Sequence, residues 1–115
     1  MATTQVQHGP HAAVIWVDGW HALVARRDHG RPKLTEVDRE ADPMHDYFVR
    51  VAREADDCER LMILGPVGTV APFEHEYEAL YRRSDRFVDA ESAASTTERE
   101  LLERLLLLDP DERRA

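Results

Sequence analysis

The run Leu61-Met62-Ile63-Leu64 is apolar throughout and stops at Gly65-Pro66. A short continuous apolar run stopped by such breakers reads as a central strand covered on both faces. Such a strand needs helices on either side, so the flanking sequence decides the architecture. Upstream, Tyr47, Phe48, Val51, Ala52 and Ala55 recur at spacings of three and four and form one apolar helical stripe. Asp42-Pro43 reads as its opening, with Asp as N-cap and Pro as the first helical residue, and the helix ends near Asp57. Downstream, residues 67–71 read as a loop. Pro72 then starts a second helix with Phe73, Tyr77, Leu80 and Tyr81 on its inner side.

Further out the period changes from 3.6 to 2. Residues 12–17, Ala-Ala-Val-Ile-Trp-Val, read as a buried strand. Asp18-Gly19 reads as a two-residue hairpin turn, because both positions accept positive φ. Residues 21–27 alternate, with Ala22 and Val24 on one face and Leu23 and Ala25 on the other. A turn at residues 28–32 leads to a third strand at 33–39, where Leu34 faces away from Val37. After the second helix, residues 86–89 read as a short strand. Ser95-Thr96-Thr97-Glu98 then reads as a capping box opening a third helix that runs to about Leu108. The order is βββ-α-β-α-β-α. It predicts an α/β fold: a single-domain α/β/α sandwich with a mixed sheet, spanning residues 11–108. Residues 1–10 are expected to be a flexible N-terminus and 109–115 a frayed tail.

Composition narrows the function classes. The 115 residues suit one domain, and 43% hydrophobic with 33% charged is the balance of a folded protein. One cysteine, Cys58, excludes an internal disulfide and any Cys-based zinc pattern. No apolar run reaches the length of a membrane span, and the polar N-terminus shows no signal region, so a cytoplasmic location is expected. The net charge of −8 argues against strong general nucleic-acid binding. The cations Arg26, Arg27, Arg31 and Lys33 nevertheless cluster near the first hairpin, where a basic patch could touch RNA locally.

Chemistry-bearing residues are scattered. The six histidines, His8, His11, His21, His29, His45 and His75, include no i, i+4 pair on a predicted helix, so no metal site is expected. Cys58 reads as a packing residue, and no G-x-S-x-G elbow is present, so no catalytic residue and no cofactor are assigned. Residues 65–69, with Gly65, Gly68 and Thr69, join a strand to a helix start and are the anion-loop candidates, although neither a P-loop ending nor G-x-G-x-x-G is present. Trp16 reads as core. Trp20, beside the turn, is a candidate for recognition next to the basic patch. The third helix holds six leucines where one buried stripe needs about four. Leu102, Leu106 and Leu107 are therefore candidates for a contact with a partner or a second copy.

Three segments together resemble a known family. They are residues 11–18, His-Ala-Ala-Val-Ile-Trp-Val-Asp, with Ala22-Leu23-Val24-Ala25; Leu61-Met62-Ile63-Leu64-Gly65-Pro66; and Phe87-Val88-Asp89 before a Ser/Thr-capped helix. The chain is similar to small bacterial proteins that resemble domain 3 of peptide-chain release factor 1 and of Pelota, often labelled translational machinery proteins. The resemblance spans about residues 11–108. It implies an L7Ae-like domain that binds translation factors or ribosomal parts without catalysis. The chain departs from that pattern in lacking a His-rich loop at residues 38–43 and a Lys after Gly65-Pro66. The expected function is a non-enzymatic interaction module, associated with ribosomes or translation factors and able to form a homodimer. The alternatives are a phosphate or small-ligand site at residues 65–69, or a domain that only self-associates.

Overall fold

A computed structural model describes residues 12–28, 30–82 and 84–108. The expectations for residues 1–10 and 109–115, and for His8, His11 and His29, lie outside them. The elements are β1 (Ala12–Val17), β2 (His21–Asp28), β3 (Arg31–Asp38), α1 (Met44–Arg53), β4 (Arg60–Gly65), α2 (Val67–Tyr81), a 3-10 turn (Ser84–Arg86), β5 (Phe87–Ser92) and α3 (Glu98–Leu108). They form one five-stranded mixed sheet, ordered β3-β2-β1-β4-β5. β1 pairs antiparallel with β2 and parallel with β4, and β4 pairs parallel with β5.

Strand alternation divides the core into two layers. Ala13, Ile15, Val17, Ala22, Val24, Leu61 and Ile63 face α1 and α2, and pack with Tyr47, Phe48, Val51, Phe73 and Tyr77. Ala12, Val14, Trp16, Ala25 and Leu64 face α3 and pack with Leu101, Leu105 and Leu108. The apolar run that ends at Gly65 is thus a strand with neighbours on both sides and cover on both faces. Leu34 and Val37 fall on opposite faces, as their alternation requires.

Gly65 has a local reason. A Cβ there would lie 2.2 Å from the Val17 carbonyl oxygen, so only glycine lets β4 lie against the end of β1.

The structure corrects several local readings. The first hairpin turns at Gly19-Trp20, not Asp18-Gly19, and Gly30 is the only described glycine with positive φ. Asp18 acts through its side chain: one carboxylate oxygen accepts the Trp20 and His21 N–H groups at 2.7 and 2.8 Å. Pro43, with extended ψ, is itself the N-cap of α1, and no side chain caps that end. Asp42 instead pairs with Arg50 at 2.8 Å. Residues 67–71 are not a loop, because α2 begins at Val67, directly after Pro66, and carries Pro72 inside it. The helix-starting proline is Pro66. Leu80 lies on the outer side of α2, whereas Tyr81 packs partly against the core. The capping box of α3 is Thr97 with Glu100, not Ser95 with Glu98. Glu100 donates its N–H to Thr97 Oγ1 at 3.1 Å, and Thr97 donates its N–H to Glu100 Oε1 at 3.0 Å.

Helix placement leaves the two faces unequally covered. α1 and α2 share one face. α3 alone lies on the other and crosses β1 and β2. A helix is about 10 Å wide and strands are about 4.8 Å apart, so one helix covers two or three strands of five. The β4–β5 side of that face is left open.

Candidate functional site

The two features expected to form one recognition surface at the hairpin are separated. Trp20 is 73% exposed at the β1–β2 turn, whereas Arg26, Arg27, Arg31 and Lys33 lie around the β2–β3 turn. Five residues of strand separate Trp20 from Arg26, the nearest of these cations, a span of about 20 Å. Trp20 has a different cation: the Arg39 guanidinium lies 5.6 Å from its ring centre. That guanidinium is fixed by donating to the carbonyls of Asp42 and Gly19 at 2.9 and 3.2 Å.

The basic patch is partly consumed by structure. Arg26 donates to Glu54 O at 2.6 Å and pairs with Asp57 at 2.8 Å, tying β2 to the end of α1. Arg27 donates to Gly30 O across its own turn. Arg31 and Lys33 are exposed on the edge strand β3.

The anion-loop candidates are dispersed by the early helix start. Gly65 belongs to β4, while Gly68 and Thr69 lie in the first turn of α2. The Thr69 N–H already donates to Pro66 O at 2.9 Å. A Cβ on Gly68 would meet nothing within 4 Å, so that glycine is not required by close approach.

Among the described residues no group of three His, Cys, Asp or Glu side chains could hold a metal. His21 lies 3.4 Å from Asp18 and His45 2.7 Å from Glu76, each a single pairing. Cys58 is fully buried, and burial pushes its thiol up to about 12, the opposite of a reactive thiolate. Burial alone would raise the Asp18 carboxyl too. The N–H groups of His21 and Trp20 and the Trp16 indole N–H outweigh it and hold Asp18 below its ordinary value of 3.8.

The leucines of α3 divide as their 100° spacing requires. Leu101, Leu105 and Leu108 are buried, and Leu102 packs partly against the core. Leu106 is 40% exposed and Leu107 75%. Leu102, Leu106 and Leu107 do not form one patch. Leu107 leans toward β4 and β5, where Arg60, Met62, Val88, Asp89, Arg104 and Leu108 line a groove of about 300 Å³ with it. Val88 is 51% exposed there. β5 carries a register shift beside it, which re-aims this end of the edge strand.

One polar group escaped the sequence reading. Arg86 is only 8% exposed. It donates to Tyr77 OH at 2.6 Å and to Asp56 O at 2.9 Å, clamping the start of β5 to α2 and to the turn after α1. An Arg before a short strand carries no local signal of burial.

No protein-family model and no curated protein sequence matches the chain. Solved structures do. Pelota from Archaeoglobus fulgidus superposes with a TM-score of 0.64 at 15% identity, over 91% of this chain and 34% of that one. The archaeal translation termination factor aRF1 gives 0.59 at 12%, over 90% and 37%. Dom34 from S. cerevisiae gives 0.58 at 8%, over 95% and 36%. It is described as a translation termination-like factor involved in RNA quality control pathways and interacting with Hbs1. The chain therefore shares its fold with one part of these translation factors. It spans about a third of their length.

Proposed function

We propose that this chain is a non-enzymatic interaction module of the translation machinery, equivalent to domain 3 of the Pelota and release-factor proteins. It would act in the cytoplasm and dock on a ribosome or a ribosome-bound translation factor. The observation that carries this is the superposition of nine-tenths of the chain on Pelota with a TM-score of 0.64. Two features support binding over catalysis. Among the described residues no three His, Cys, Asp or Glu side chains are grouped to hold a metal, and burial pushes the Cys58 thiol up to about 12. Dom34, whose fold this chain shares, works with a protein partner, and the same kind of interaction is proposed here. Co-sedimentation of the purified chain with ribosomes of its own cell, with and without their bound factors, tests the reading. The chain is expected in the ribosomal pellet at low salt. Its staying in the supernatant under every condition would overturn it.

Self-association through α3 is a second reading, favoured by Leu107, which is 75% exposed on that helix. Sedimentation equilibrium distinguishes it: a Leu107→Lys chain would be monomeric where the unaltered chain is dimeric.

A further inference from the structure

We infer that β5 and the groove beside it receive an extended segment of another protein, with an apolar residue over Leu107 and a Lys or Arg over Asp89. The inference concerns a surface and holds whether or not a ribosome is the target.

β5 is an edge strand of the sheet. Ala93 donates its N–H inward to Gly65 O at 2.8 Å, so by strand alternation the backbone groups of Ala90 and Ser92 point outward. The free chain confirms this direction at Ala90, whose N–H donates to the Asp89 carboxylate at 2.8 Å instead of to β4. An incoming strand would take that N–H and release the Asp89 carboxylate for a cation. The opposite edge differs. β3 carries Arg31, Pro32 and Lys33, the residues that commonly block edge pairing. β5 has neither Pro nor Lys, and its bulge at Val88 lies before the stretch from Asp89 to Ser92, which keeps regular register with Met62 to Gly65.

Side chains specify the occupant. Asp89 and Glu91 pair with Met62 and Leu64, so both acids lie on the face of α3. Arg104 reaches Glu91 at 3.2 Å, leaving Asp89 as the carboxylate at the mouth of the groove. Val88, Met62 and Leu107 supply its apolar lining. An extended segment places alternate side chains on that face, one in the groove and the next over Asp89.

A second copy fits poorly. Antiparallel pairing of two β5 strands across a two-fold axis matches residues of the same face. Asp89 then meets Glu91, or one of the two acids meets its own copy on the axis, and like charges directly opposite one another disfavour the pairing.

The probe is the peptide acetyl-Thr-Leu-Thr-Lys-Thr-Lys-Thr-amide, titrated into the full chain and followed by backbone amide NMR. Saturable shifts confined to residues 88–92 and to the groove residues of α3 are expected, with slowed exchange of the Ala90 N–H. Asp89→Lys should weaken binding about tenfold. So should Leu107→Lys, and so should replacing the probe's lysines by Glu. Unchanged amide shifts elsewhere in the sheet show that each variant folds. The inference is overturned if the probe leaves residues 88–92 unmoved at millimolar concentration, or if Asp89→Lys and the Glu peptide bind as well as the originals. It is equally overturned if the unaltered chain dimerises through β5 and excludes the probe.

Discussion

The two faces of the sheet are built from different materials. The face under α1 and α2 is aromatic: Phe48, Phe73, Tyr77, Tyr81 and Phe87 are linked by ring contacts of 4.7–6.4 Å between centroids. It is closed at its edge by the buried Arg86. The face under α3 is aliphatic, a leucine stripe on Ala12, Val14 and Leu64, with Trp16 the one ring. Two helices cover their face, whereas one helix leaves a flank open, and the exposed groove lies there. The difference teaches where stability and recognition reside. The aromatic side buries its rings under two helices, with a polar groove of about 410 Å³ beside Glu36, Asp38, Arg50 and Arg53, and the aliphatic side exposes the apolar groove proposed above to receive another protein.

The largest expected effects test the aromatic face. Phe73→Ala should cost about 3–5 kcal/mol in urea unfolding, because the ring is fully buried and touches both Phe48 and Tyr77. Leu105→Ala on the α3 face should cost about 2–4 kcal/mol, since the partly open flank gives it more room to collapse. A Leu105 loss exceeding that of Phe73 would reverse the comparison.

Next come the two glycines once expected to share a loop. Gly65→Ala forces a methyl group into the Val17 carbonyl and should destabilise by about 1–3 kcal/mol. Gly68→Ala meets open space inside a helix and should stabilise by up to about 1 kcal/mol. Thermal melts of both variants, moving in opposite directions, would separate the strand position from the helix position.

The polar end of the sheet gives a pH effect. Asp18 is held below 3.8 in the folded chain by three N–H donors. Its contribution is therefore full above pH about 4 and is lost as the pH falls through the lower folded value. Stability should decline in that acid window, and Asp18→Asn should flatten the decline. An unchanged acid limb in urea titrations would mean that the hairpin turn does not depend on this carboxylate.

The smallest effect belongs to the open flank. Leu107→Lys should change stability by within about 0.5 kcal/mol, because the side chain is three-quarters exposed. A loss above 2 kcal/mol would make Leu107 core and close the groove as a recognition surface.

Apolar patterning together with turn and cap signals was enough to read five strands and three helices in order, because a run such as Leu61–Leu64 and a stripe such as Tyr47, Phe48, Val51 carry their burial in the placement of apolar residues. It also separated Ala22 and Val24 from Leu23 and Ala25, since alternation is a property of the single strand. Caps and turns were read one to five residues off. Pro43, Pro66 and Pro72 look alike in sequence, and which one opens a helix depends on the backbone entering it. Proximity was not legible. Only the fold buries Arg86 against Tyr77 and sets Val88 beside Leu107, nineteen residues further on in sequence. Periodicity records which face a residue turns inward. Which residues then meet is decided by how strands order themselves in the sheet and by how much of each face the helices are wide enough to cover.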